Sequence, residues 1–396
     1  MIHYLSLTRA VRLCVPAAIA VAMLAGARPA QSQTFKTLYA FTGGADGGTP
    51  WATPLLSGGV LYEPTFTGGL ASSNGAGTVF QYDTTTNRGT YLYQFGGEPY
   101  DGSAAMGALI TDGFGDFWGT TTQGGFGLAG TLYEISGGTE FVIQNFNGAD
   151  GSAPEGNLIL DPVGDLFGTT SNGGNNDCGT IFAFSAVGSF LPLYNFGDYS
   201  TDGIAPVAGL VFSKSVLYGV TTEGGKQSWG TIFGVNVKTH AETQLYNFTG
   251  KRDGGTPVGG LVPDGQGNLY GTASVGGSNR GNAGNGVIFK FNIASSTYTT
   301  LYRFAGPDGK EPLAALLPDG QGNFYGTTYA GGAKGYGTVF KFNSATNTLT
   351  TLYSFTNGTD GAYPYGGLAM DAAGDLYGAA THGGQFEWGT LFEIVQ

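Results

Sequence analysis

The segment GTVFKF (337–342) decides the fold. Side chains alternate between the two faces of a strand, so Val339 and Phe340 point to opposite sides. Both are apolar, and a strand apolar on both faces needs another layer against each. The same segment starts, with small changes, at Gly77, Gly130, Gly179, Gly230, Gly286, Gly337 and Gly389. A strand that recurs seven times and is buried on both faces each time predicts sheets stacked one on the next.

Working outward from it, the rest of the repeat falls into register. An aromatic strand ends at Phe41, Phe95, Phe146, Phe196, Phe248, Phe304 and Phe355, at intervals of 54, 51, 50, 52, 56 and 51. An Asp-Gly pair follows each, at Asp46, Asp101, Asp150, Asp202, Asp253, Asp308 and Asp360. A leucine comes eight residues after the aspartate, or nine in the first unit. The sixth unit shows four short strands: LAALLP (313–318), NFYGTT (323–328), GTVFKF (337–342) and LTTLYSF (349–355). They are β-branched and aromatic and are bounded by Gly, Asp and Asn.

Four-stranded units of about fifty residues, buried on both faces, predict an all-β, seven-bladed β-propeller with four antiparallel strands per blade. The phase of the repeat predicts its closure. TLYAF (37–41) is a fourth-type strand with no blade of its own, and the last unit ends after its third-type strand, GTLFEI (389–394). Pairing the two completes the last blade and hides both edges. A solenoid is the alternative, but it needs polar caps that the terminal units lack.

Residues 1–27 read as a secretory signal peptide: Arg9 and Arg12, an apolar run from Leu13, and small residues at Ala25 and Ala27. Residues 28–396 are then one propeller domain. The full chain has 16 basic and 28 acidic residues. Without Arg9 and Arg12 the balance is 14 − 28 = −14. That field repels phosphate backbones and argues against nucleic acid. In an exported protein it reads first as solubility. No second apolar run is long enough for a membrane span. Of two cysteines only Cys178 lies beyond the leader, so no intrachain disulfide is expected, and the chain reads as a monomer.

DGQGNLYGT (264–272) has the acid and glycines of a calcium loop, but Leu269 stands where the sixth-position glycine belongs and Ser274 where the twelfth-position glutamate belongs. It fits better as a type I turn ending in a left-handed glycine, Gly267, as do the copies ending at Gly115, Gly164, Gly322 and Gly374. The seven Asp-Gly aspartates fit loop-internal acceptors better than calcium ligands, so no cofactor is expected. The Asp-Gly and Gly-Gly loops share one face of the disc and the hairpins occupy the other. On the first face the residues that break the repeat are the ligand-binding candidates: Trp229, Tyr336, Phe386, Trp388, Glu223, Glu387 and Arg280. Aromatics beside charges suit a sugar, although blade-to-blade packing explains the aromatics too.

Enzyme motifs are missing. His240 and His382 sit in different units without a metal or triad spacing, so no catalytic residue is assigned. A pair of carboxylates for glycoside cleavage cannot be read from sequence. Glu63, in LYEP where other units have LYGT, reads as an acid at the disc face or, preferably, as the mark of a frayed first blade.

The repeat resembles the GloVer tandem-repeat family of exported bacterial proteins. The resemblance rests on Gly209-Leu210-Val211, Gly260-Leu261-Val262, the D-x-x-G-[ND]-[LF]-Y-G-T segment and the GG…GT[VIL]F segment. It is also similar to two-component-regulator and NHL propeller repeats. It implies export to the cell envelope, extracellular or periplasmic, and a repeat fold. It carries no activity and no catalytic residues. The expected role is a non-catalytic module for a polysaccharide or a cell-surface protein. A carbohydrate-active hydrolase or lyase with carboxylates at the channel mouth, and a purely structural envelope protein, are the alternatives.

Overall fold

The computed structural model describes residues 33–69, 75–97, 100–197, 202–278 and 284–396. The leader lies outside them. Seven antiparallel sheets follow one another round a ring, and the chain is a seven-bladed β-propeller. In the sixth blade the strands are Leu317–Pro318, Asn323–Thr328, Thr338–Asn343 and Thr348–Ser354, in that spatial order. Among the described residues no helix is long and apolar enough to cross a membrane.

Closure is as the phase predicts. Thr34–Ala40 pairs antiparallel with Thr390–Val395, from Thr34 opposite Val395 to Ala40 opposite Thr390. Lys36 Nζ donates to Glu393 Oε2 at 2.9 Å across this seam.

The two-faced strand explains the core. Val339 and Phe340 are both fully buried, Val339 against the seventh blade's Leu376 and Phe392, Phe340 against the fifth blade's Ile288 and Phe304. Between the third and fourth strands every blade carries a register shift at this point, as at Val339/Phe340. Val339 pairs with Tyr353 and Phe340 with Thr351, leaving Leu352 as the extra residue. The leucine of each LYxF motif is thus a β-bulge, which adds twist where blades must splay outward.

The innermost strand is shorter than LAALLP implies, because only Leu317–Pro318 pairs within its own blade. The preceding residues turn their polar groups to the neighbouring blades. Thr272 Oγ1 donates to Ala314 O at 3.1 Å, and Gly367 N donates to Thr53 Oγ1 at 2.8 Å. These inner segments converge closely. A Cβ on Gly259 would lie 2.3 Å from Ala314 O, and one on Gly366 would lie 1.9 Å from Ala52 O.

Two expectations change. The turns at Asp161–Gly164 and Asp371–Gly374 close with the 1→4 bond of a type I turn, both at 3.1 Å. In DGQGN, Gly265 is also left-handed (φ 74°) alongside Gly267 (φ 89°), which a type I turn does not allow. Nor is the first blade frayed. Val60–Thr67 is a full strand, and Glu63 is wholly buried inside it. Room exists because the Phe80 ring lies over Gly89, where a Cβ would be 2.3 Å from its Cζ. Only the Ala52 backbone N–H stands by the Glu63 carboxyl, and burial pushes its pKa well above the ordinary carboxylate value.

Candidate functional site

The Asp-Gly aspartates are fastened into their own loops. Each accepts a backbone N–H: from Thr42, Gly96, Asn147, Gly197, Thr249, Ala305 and Thr356, at 2.7–2.9 Å. Six also accept the phenol of the LYxF tyrosine, for example Tyr246 to Asp253 at 2.9 Å and Tyr302 to Asp308 at 2.6 Å. In the third blade Gln144 Nε2 replaces the tyrosine, at 2.8 Å to Asp150. The tyrosine partner was legible in the repeat, since it stands two residues before six of the seven phenylalanines that bound the loops. Burial and the neighbouring aspartate raise five of these phenols, those of Tyr39, Tyr194, Tyr246, Tyr302 and Tyr353, Tyr39 to about 12.

Three residues beyond each aspartate the backbone turns left-handed without glycine, at Thr49, Ala104, Ala153, Ala205, Thr256, Glu311 and Tyr363. Each of these N–H groups donates to the carbonyl just before the GT strand of the preceding blade, as Thr256 N to Trp229 O at 2.9 Å and Thr49 N to Trp388 O at 2.8 Å. This contact repeats between all seven blade pairs, so it belongs to the ring and not to a ligand.

The rim candidates are spread round the face. Trp229 and Trp388 occupy equivalent positions in the fourth and seventh blades. Each indole lies on two glycines of the next blade's loop, Gly250 and Gly255 under Trp229, Gly43 and Gly48 under Trp388. Trp388 and Phe386 stay 42% and 45% exposed. Glu223 and Glu387 are exposed, Glu223 on the short strand Glu223–Gly224 that pairs with Gly203–Ile204. Arg280 lies outside the described residues. Trp229 is therefore separated from Trp388 by the fifth and sixth blades.

Tyr336 leads to a place the sequence reading missed. Its ring meets Tyr363 at 5.6 Å; Tyr363 meets Tyr329 at 5.1 Å; Tyr329 meets Tyr365 edge-on at 6.3 Å. Tyr365 stacks on Trp51 at 5.0 Å, and Trp51 stacks on Phe66 at 5.0 Å. This chain of half-buried rings crosses the sixth, seventh and first blades and ends at the central channel.

The channel holds a cavity of about 370 Å³ lined by the inner segments of all seven blades. Its wall is mostly glycine, alanine and aliphatic side chains. The position five residues after each aspartate forms one ring of this wall: Trp51, Met106, Glu155, Val207, Val258, Leu313 and Tyr365. Glu155 is the one carboxylate among the lining residues, and none of them is Lys, Arg or His. Ser171 Oγ donates to Glu155 Oε1 at 2.9 Å, while burial raises its pKa. The Tyr365 phenol is raised to about 12, by burial first and then by the Glu155 charge. Trp51 Nε1 is buried without an acceptor. Aligning the units on their aspartates exposes this column: two aromatics and one acid interrupt an otherwise aliphatic position.

The model of the Gloeobacter/Verrucomicrobia repeat matches residues 134–281 and 267–396, about two thirds of the sequence. The chain belongs to that repeat family. No curated protein matches it. The propeller is similar to the extracellular domain of a hybrid two-component system from B. thetaiotaomicron, at TM-score 0.58 and 9% identity, over 91% of this chain and 39% of that one. It is also similar to oligogalacturonate lyase from Vibrio parahaemolyticus, at TM-score 0.54 and 10% identity, over 92% and 97% of the two chains. The tricorn protease matches at TM-score 0.45 and 13% identity over 78% of this chain, which spans 26% of the protease. At identities this low, the likenesses to the extracellular domain and to the lyase show the shared fold alone.

Proposed function

We propose that this repeat-family propeller is an exported, monomeric, non-catalytic module that binds a carbohydrate on its Asp-Gly face. The observation that carries the reading is the channel mouth. There a run of half-buried aromatic rings from Tyr336 to Trp51 meets a cavity of about 370 Å³ that holds one carboxylate. Aromatic rings cover the apolar surfaces of a sugar ring, while Glu155 takes its hydroxyls. The exposed rings of Phe386 and Trp388 would extend the surface outward for a longer chain. Calcium is not required, since the Asp-Gly carboxylates already accept hydrogen bonds from their own loops.

Two-carboxylate glycoside cleavage needs a second acid across the substrate, and among the described residues the lining supplies Glu155 alone. This favours binding over hydrolysis. A glycan array probed with the wild type, Trp51→Ala and Trp388→Ala tests the reading. Binding lost in Trp51→Ala supports the channel mouth; loss in Trp388→Ala alone moves the site to the rim; no binding at all refutes a carbohydrate ligand. Release of reducing ends from a bound glycan would instead establish an enzyme.

A further inference from the structure

The charge inside the cavity is unbalanced. Glu155 Oε1 is held by Ser171 at 2.9 Å, and Oε2 takes no hydrogen bond from any described residue. Among the described residues no basic side chain lines the wall. A half-buried carboxylate that faces no cation is partly desolvated, and an ammonium group is its natural complement. Tyr365 and Trp51, on the seventh and first blades, line the same channel as the third blade's Glu155 and offer a sugar ring an apolar edge to rest against. The whole chain carries a net charge of −12, which draws cationic ligands in and repels anionic ones.

We infer that the channel site selects an amino sugar, its ammonium group paired with Glu155 and its ring held against Tyr365 and Trp51, and excludes uronic acids. This rests on the carbohydrate-binding reading above and names the sugar class. The size of the cavity limits what enters it to a chain end or a short oligomer.

Glucosamine and N-acetylglucosamine oligomers share one skeleton and differ in the charge at the nitrogen, so they isolate the inference. Isothermal titration of the full chain with both, and with galacturonate oligomers, is the experiment. The wild type should bind the glucosamine oligomer about tenfold more tightly than the acetylated one, the size of one charge-assisted hydrogen bond, and galacturonate not at all. Glu155→Gln, with its fold checked by circular dichroism, should bind the first two equally. Equal wild-type affinities, or measurable galacturonate binding, would overturn the amino-sugar assignment and leave carbohydrate binding standing. An amine preference that survives Glu155→Gln would overturn the role of Glu155. If none of the three binds while the glycan array is positive for another sugar, the assignment fails alone; if the array is also blank, the reading beneath it fails too. The wild-type comparison needs no variant, so a misfolded Glu155→Gln leaves the test intact.

Discussion

The indole of Trp51 lies nearly parallel to the ring of Tyr365, 5.0 Å away and tilted by 24°, although the two belong to the first and seventh blades. The stack bridges the blade pair where the ring closes, and it also forms part of the channel wall. Stability and binding are coupled there. Trp51→Ala should cost about 2–3 kcal/mol, less than a fully buried indole because one edge faces the cavity. Urea unfolding measures this; Trp51→Phe should recover most of the loss.

The phenol–aspartate ties give a second prediction. Tyr246→Phe removes one hydrogen bond to Asp253 and should cost about 1 kcal/mol. Asp253→Ala strands the phenol and the Thr249 N–H together and should cost about 2–3 kcal/mol. The order of the two midpoints in denaturant is the check. Chelator should not shift the melting temperature of the wild type, and a drop would place a cation in these loops.

Stability should fall between about pH 5 and pH 8. Glu140 is raised from 4.5 to about 8, by burial first and then by the Asp101 charge, and Glu242 from 4.5 to about 7, by burial and then by Asp202. Each folded carboxyl holds a proton that its unfolded form has released, so the folded state binds more protons across that window and loses stability as pH rises. Denaturant midpoints at pH 5 and pH 8 test it. Glu140→Gln and Glu242→Gln should flatten the difference; an unchanged slope would refute the assignment.

Two adjacent glycines separate packing from cavity. Gly259→Ala puts a methyl 2.3 Å from the Ala314 carbonyl and should cost more than about 2 kcal/mol by forcing blades apart. At Gly260 the nearest atom is 3.3 Å away, and Gly260→Ala should be close to neutral. Thermal melts of the pair decide it.

The fold was legible because its signal is local and repeated. Val339 beside Phe340 demands two neighbours, and seven copies supply them. The bulge at Leu352 was not legible, since register depends on a partner strand. The site was hidden for a related reason. Trp229 and Trp388 stand out in the sequence as repeat-breaking aromatics, but their bulk fills space above paired glycines in the next blade, a fit that only the assembled ring displays. Trp51, Glu155 and Tyr365 sit in one column of the repeat, but their meeting across a channel is a property of the ring. Glu63 misled for a third reason: a buried acid in place of glycine needs the Phe80 ring over Gly89, two strands away in the sheet.

The seam between Thr34–Ala40 and Thr390–Val395 has a kinetic consequence. Lys36 and Glu393 are 357 residues apart, so their contact raises the contact order of an already non-local topology. A chain emerging from the ribosome or a translocation pore holds its opening strand without a partner until the final residues arrive. During that interval two strand edges are free, and either can capture the matching edge of another copy. The slowest folding phase should therefore vanish when Thr34–Ala40 is deleted, leaving an open ring that pairs between molecules.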